Sequence, residues 1–188
     1  PLEIGLPAGE FAVKMPEGNY KILAERFDGL YQSSFYTGPK ANDGVVTIQS
    51  DVDGVDFVLE ARPTATVKVK LLENGDPAKP VKYAWFDFFD PEDEFAPIVF
   101  PHLEGLNFED QFDGSYTLSV PEGDYKLSIG AHNFEGVFRV IDESGSETWR
   151  SGSWDDGSTI SLKVGETTDL GNVNMTSLGK SDAELYGF

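Results

Sequence analysis

The sequence predicts an all-β chain of tandem antiparallel β-sandwich repeats, immunoglobulin-like or transthyretin-like, with little or no helix. Three observations predict it. The stretch GEFAVKMPEGNYKI at Gly9–Ile22 returns as GSYTLSVPEGDYKL at Gly114–Leu127. Apolar and polar residues alternate with period two through much of the chain. No segment sustains a 3.6-residue apolar period with helix caps. Recurrence on this scale marks duplication of a domain-sized unit. A length of 188 residues suits one or two domains.

The strands are read in chain order. Phe11–Met15, Val45–Ile48, Thr66–Leu71, Tyr116–Val120, Tyr125–Ile129 and Thr159–Val164 each alternate as strands with one buried face do. Pro-Glu-Gly at 16–18 and again at 121–123 separates two such strands in each copy. Proline presets φ and glycine tolerates positive φ, so each copy is expected to be a hairpin. The repeat extends further: Phe27–Tyr31 matches Phe134–Phe138, and Asp53–Leu59 matches Asp169–Met175. The second copy has extra residues around Ile141–Trp149, expected as a longer hairpin or loop. The expected organisation is the second half of a repeat over 1–60, a complete repeat over 61–176, and one further strand at 177–188. Half a sandwich exposes edges and apolar faces. The terminal strand is therefore expected to complete the first unit, within the chain or in a neighbouring copy, by strand addition.

Composition narrows the function. A net charge of −19 argues against nucleic acid, whose phosphates need clustered Lys and Arg, and against anionic membrane surfaces. Hydrophobic residues make up 39% of the chain and aromatics 13%, enough for packed cores rather than disorder. There is no cysteine, so disulfides, thiolate metal sites and thiol nucleophiles are excluded. Apolar runs fall far short of the ~20 residues needed to span a bilayer, so membrane insertion is not expected.

The pattern Gly-x-aromatic-x-apolar-x-apolar-Pro-x-Gly-x-Tyr-x-apolar is carried by Gly9, Phe11, Pro16, Gly18 and Tyr20. It is carried again by Gly114, Tyr116, Pro121, Gly123 and Tyr125. It resembles the carboxypeptidase regulatory-like (transthyretin-like, Cna B-type) β-sandwich repeat, and Leu162–Met175 fits the closing part of that repeat. The resemblance covers about 150 residues at the level of fold. It implies stalks, spacers, adhesin segments or accessory domains, hence a secreted or cell-surface location. It also implies a Lys–Asn isopeptide bond, for which Lys68 or Lys70 and Asn172 or Asn174 could be partners. Ala24 and Ile129 stand where the assisting acid is expected. The stretch Ala84–Glu109 is unusually aromatic and acidic for such a repeat.

Catalysis is not expected. His102 and His132 have no metal-ligand spacing, and neither a Gly-x-Ser-x-Gly elbow nor a phosphate-binding glycine loop is present. Calcium is the candidate cation, because hard cations take carboxylate and carbonyl oxygens from loops. Asp51, Asp53 and Asp56 form one candidate cluster, and Asp87, Asp90, Glu92 and Asp93 another. A third acidic run, at Glu109–Asp113, precedes the repeated motif. The alternative reading of these runs is solvated acidic surface. Polysaccharide is the candidate organic ligand, through stacking on Trp85, Trp149, Trp154 and Tyr36, with core packing as the competing role for the same rings. The expected function is a non-catalytic structural or adhesion module bound to other repeats or neighbouring copies, with a carbohydrate-binding accessory module as the alternative.

Overall fold

The structure, a computed structural model, describes residues 11–26, 29–94, 99, 101–103 and 112–179. The chain divides into two compact units. One comprises 1–26 and 31–60; the other comprises 27–30 and 61–188. Strand dominates the second unit and forms short pieces in the first, and among the described residues no helix is long and apolar enough to cross a membrane.

The first unit holds β1 (Gly18–Tyr20), β2 (Leu23–Ala24), β3 (Ser34–Phe35), β4 (Ala41–Asn42) and β5 (Val45–Ile48). These form a three-stranded sheet in the order β1-β5-β4 and a β2-β3 pair. Its small core is built around Tyr36 and Val46, which are 3% and 1% exposed. Phe57 packs edge-on against Tyr36 at 5.5 Å.

The second unit is a two-layer sandwich. Its strands are β6 (Thr64–Glu73), β7 (Ala84–Phe89), β8 (His102–Leu103), β9 (Ser115–Pro121), β10 (Gly123–Ala131), β11 (Val137–Ile141), β12 (Glu147–Arg150), β13 (Thr159–Leu162) and β14 (Thr167–Met175). One sheet runs β14-β6-β9-β8. The other runs β12-β11-β10-β13, with β7 also paired to β10. The alternation read from sequence sorts side chains between core and solvent. Ala65, Val67, Val69 and Leu71 of β6 point inward, with Tyr116, Leu118 and Val120 of β9 beside them and Leu127 and Ile129 of β10 on the facing sheet. Each large side chain so buried contributes about 1.5–3 kcal/mol relative to exposure. Because the sheets are built mostly from antiparallel neighbours, one parallel pair stands out: β6 and β14, the first and last strands of the unit, lie side by side.

The Pro-Glu-Gly segment differs from expectation. It does not close a hairpin within one sheet, because β9 and β10 belong to opposite sheets. The ladder ends at Pro121 and the chain bends through Glu122 into the facing layer, as strands that change sheets do. The Tyr125 hydroxyl, donating to the Pro121 carbonyl at 3.2 Å, holds this corner. Its ring lies over Gly123, where a Cβ would sit 3.0 Å from the hydroxyl oxygen, so a side chain there would displace the tyrosine. The first unit repeats the arrangement: Tyr20 donates to the Pro16 carbonyl at 2.9 Å, and a Cβ on Gly18 would stand 3.2 Å from the Tyr20 ring. The five-residue motif is thus one device, a tyrosine tying the bend before its own strand.

The equivalence continues across the sheet. Gly18, Asn19 and Tyr20 face Ile48, Thr47 and Val46, while Gly123, Asp124 and Tyr125 face Leu162, Ser161 and Ile160. Thr47 donates to Asn19 at 2.8 Å, and Ser161 donates to Asp124 in the matching place. The additional residues of the second copy form the β11–β12 hairpin. The expectation that 177–188 completes the first unit falls, from residue 180 onward, outside the described residues.

Burial perturbs one core tyrosine. Tyr116 is 1% exposed, donates to the Val81 carbonyl at 2.9 Å, and is pushed up to about 12 by burial. The buried ring favours the neutral phenol, so stability is constant below the ordinary value of 10 and falls as pH rises from 10 towards about 12. Tyr116→Phe should flatten part of this alkaline loss, with Tyr125, also raised by burial, accounting for more of it. At neutral pH the variant should be destabilised by about 1 kcal/mol through the lost hydrogen bond. Denaturant midpoints at pH 7 and pH 11.5 check both signs.

Candidate functional site

Two surfaces carry the candidate residues. The first lies on the outer face of the β7-containing sheet. Along β7, Ala84, Phe86 and Phe88 enter the core, so Trp85, Asp87 and Phe89 face outward. Trp85 sits opposite Gly130 on β10 and covers it: a Cβ there would lie 2.4 Å from the indole. The glycine lets the ring lie flat on the sheet while half of it stays exposed. Phe89 reaches Phe138 of β11 at 6.2 Å. Lys126, opposite Phe89, places its ammonium 3.7 Å above the Trp154 ring and donates to the Trp154 carbonyl at 3.1 Å. The Trp154 indole N–H donates to the carbonyl of Asp90 at 3.2 Å, pinning the 3₁₀ turn Trp154–Asp156 to the end of β7.

Asp87 stands between the two outward aromatics of β7, half-buried. Burial pushes its carboxyl above the ordinary value.

The structure separates the four aromatic candidates. Trp85 presents a ring to solvent. Trp154 is occupied by Lys126 and Asp90, and Trp149 of β12 packs against the core cluster. Tyr36 is buried in the first unit, where its hydroxyl donates to the Gly54 carbonyl and accepts from Lys40, so no sugar can stack on it. Phe89 and Phe138 join Trp85 on the outer face. The run of aromatics at 83–89 signalled such a face, but nothing in the sequence linked it to residue 138.

The acidic candidates are also dispersed. Among the described residues no three carboxylate or histidine side chains converge as metal ligands. Asp90 accepts the Glu92 amide at 2.8 Å, bracing its own turn. Glu92 and Asp93 follow in that turn. Asp113, in the third acidic run, binds Lys70 at 2.9 Å and Ser115, which hold its carboxyl down at about 2. The rest of the excursion between 90 and 113 is only partly described. The lysines and asparagines considered for an isopeptide bond lie on the outer face of the β6–β14 pair, not in the core. Lys70 neighbours Asn172 there, with its ammonium engaged by Asp113.

The second surface is a groove in the first unit, about 660 Å3 in volume. It is lined by residues 11–15 and Glu17, by Ile22, Val46 and Ile48, and by residues 49–56. Asp51, Asp53 and Asp56 line this groove with Glu17. Phe11 and Val13 are each 47% exposed.

No protein-family model matches the chain, and no curated protein matches it. Among solved structures it is similar to the major pilin subunit BcpA of Bacillus cereus, with 16% identity, 63% of this chain and 31% of that one covered, and a TM-score of 0.33. It is similar to GBS52, the minor pilin of Streptococcus agalactiae, with 12% identity, coverage of 92% and 65%, and a TM-score of 0.35. A leucine-rich repeat protein from Bacteroides thetaiotaomicron gives 15% identity, coverage of 88% and 20%, and a TM-score of 0.29. The chain spans less than two thirds of each of these proteins. The fold described above rests on the strand pairing itself.

The position of Asp87 has a thermodynamic signature. Its raised carboxyl favours the protonated form in the folded state, so the stability it contributes is greatest below the ordinary value of 3.8 and is lost as pH rises through the folded value. Asp87→Asn should raise the unfolding midpoint at pH 7 and leave it unchanged at pH 3. A variant less stable than the parent at pH 7 would show instead that the carboxylate is usefully paired.

Proposed function

We propose that the chain is a non-catalytic structural module of a secreted or cell-surface protein, built from repeated β-sandwich units that carry tension. One observation supports this most directly: the parallel pairing of β6 with β14. The second unit's chain enters at Thr64 and leaves at Met175, at opposite ends of that pair. Force applied at entry and exit pulls the strands past each other along their length. All the ladder hydrogen bonds then share the load at once, whereas a hairpin pulled from one end releases them singly. Hydrogen bonds from Thr66 to the Glu166 carbonyl, Gly165 to Thr64 and Asn74 to Met175 lock both ends of the pair. Other repeats or neighbouring copies are the partners of such a module. Calcium belongs to this reading as a counter-ion that screens the self-repulsion of a chain with net charge −19.

The absence of cysteine makes the test clean, since paired attachment points can be introduced without background thiols. In the full chain, single-molecule pulling through Arg62→Cys and Gly179→Cys should give a markedly higher rupture force than pulling through Arg62→Cys and Glu166→Cys, which unzips the same pair from one end. Equal forces in the two geometries would sink the tension-bearing reading. Traces recorded in calcium and in sodium at matched ionic strength test the counter-ion role, and identical forces would remove calcium from it.

A second reading, a carbohydrate-binding accessory module, is supported by the exposed face of Trp85 with Asp87 and Phe89 beside it on β7. Flat apolar rings flanked by a hydrogen-bonding carboxylate suit the apolar face and hydroxyl rim of a sugar. Soluble polysaccharides that bind should retard the chain in affinity electrophoresis, and Trp85→Ala should abolish the retardation. Retardation that survives this substitution would place binding elsewhere.

A further inference from the structure

We infer that the shallow trough between Trp85 and the Phe89–Phe138 pair takes a polysaccharide of amino sugars with free amines, one ammonium of which pairs with Asp87. The inference rests on the carbohydrate-binding reading and names the class of sugar. Strand register lays the trough out. Asp87, Ser128 and Phe138 share one row across β7, β10 and β11. Two residues along β7 in one direction, Trp85 covers Gly130; two residues in the other, Phe89 stands opposite Lys126. Leu127 and Ile129 enter the core, so Ser128 turns outward with Asp87. A carboxylate and a hydroxyl thus lie between an indole at one end and two phenyl rings at the other. Trp85 and Phe89, four residues apart, are separated by about 13 Å along the strand.

Charge selects the amine. The base nearest in register, Lys126, is engaged elsewhere: its ammonium lies 3.7 Å above the Trp154 ring and donates to the Trp154 carbonyl. Arg139, next to Phe138 on β11, turns to the opposite face and pairs with Glu147 at 2.8 Å. Arg150 ends the row of Asp87 on β12. It stands three strands away, about 14 Å at the usual strand spacing. A sugar stacked across Trp85 displaces the water that still reaches the half-buried Asp87. Covering a carboxylate is costly, and an ammonium offsets that cost by a charge-assisted hydrogen bond more fully than a neutral hydroxyl does. An acidic sugar would bring like charge to the same place. The net charge of −19 draws a polycation towards the chain before contact.

A lysine-rich peptide offers the same charge, but its main chain finds no place here. Strand addition needs an open edge. One edge of β7 is paired with β10, and the other is met at Phe88 by Val99, with main-chain hydrogen bonds of 3.3 and 3.1 Å. The trough offers instead a half-exposed indole laid flat on Gly130, with a hydroxyl that donates and accepts beside the carboxylate. These suit the apolar face and the polar rim of a sugar ring.

The test titrates the full chain calorimetrically with chitosan oligomers and with fully N-acetylated chitin oligomers of the same length. The free amines should tighten binding about tenfold, as one hydrogen bond to a charged group does. Asp87→Asn should remove that difference. Glu143→Gln, which removes an equal charge from the exposed β11–β12 turn, should preserve it. Oligolysine should bind the parent and Asp87→Asn alike. Equal affinity for the two sugars overturns the inference and leaves the carbohydrate reading standing with a neutral ligand. Equal losses in Asp87→Asn and Glu143→Gln overturn it by reducing the preference to bulk charge. Oligolysine binding as tight as chitosan's, and lost in Asp87→Asn, makes a cationic peptide the occupant instead. Failure of both sugars to bind removes the carbohydrate reading itself.

Discussion

The position of one strand between β9 and β14 governs the rest of the fold. Without β6, the inward residues of β9 have neighbours on one side only, and the closing strand has nothing to pair with. With it, Tyr116, Leu118 and Val120 leave the solvent, and β14 gains a ladder broken only at Leu170–Gly171. Residues 54–60 of the first unit alternate between half-buried and exposed yet form no described strand. Backbone groups of a strand need partners. Local sequence sets the alternation, and the neighbour strand decides whether it becomes a sheet.

What the two units share is the corner. In each, a tyrosine hydroxyl returns to the carbonyl of the proline four residues earlier, over a glycine that keeps the ring close. The cross-strand polar pair beside it is also shared, with different chemistry: an amide and a threonine in one unit, a carboxylate and a serine in the other. A bend tied within five residues needs no distant contact, so it forms alike in both units.

Much of the fold was legible in the sequence because its signals are local. Period-two alternation located β5, β6, β9, β10 and β13. The Pro-Glu-Gly segment was misread as a hairpin turn. Turn chemistry reports that the chain bends, but not whether the next strand stays in the same layer. That depends on β9 pairing with β6 and β10 pairing with β7, both distant in sequence. The candidate site was less legible. Composition marked Trp85 and Asp87, but one residue of alternation separates an outward ring from a core ring, as Trp85 and Phe86 show. Tyr36 resembled a surface aromatic and proved to be the centre of a small core. Its burial is set by Phe57 and Gly38, which no periodicity connects to it.

Entry and exit at opposite ends of a parallel strand pair also fix a length. Each passage through such a unit advances the chain by the span of β14, nine residues, or about 30 Å at ~3.3 Å per residue. A unit whose first and last strands were antiparallel would return the chain to its starting end and add almost nothing. Reach therefore grows by a fixed step with each added unit. A flexible linker of the same residue count gains distance only as the square root of its length.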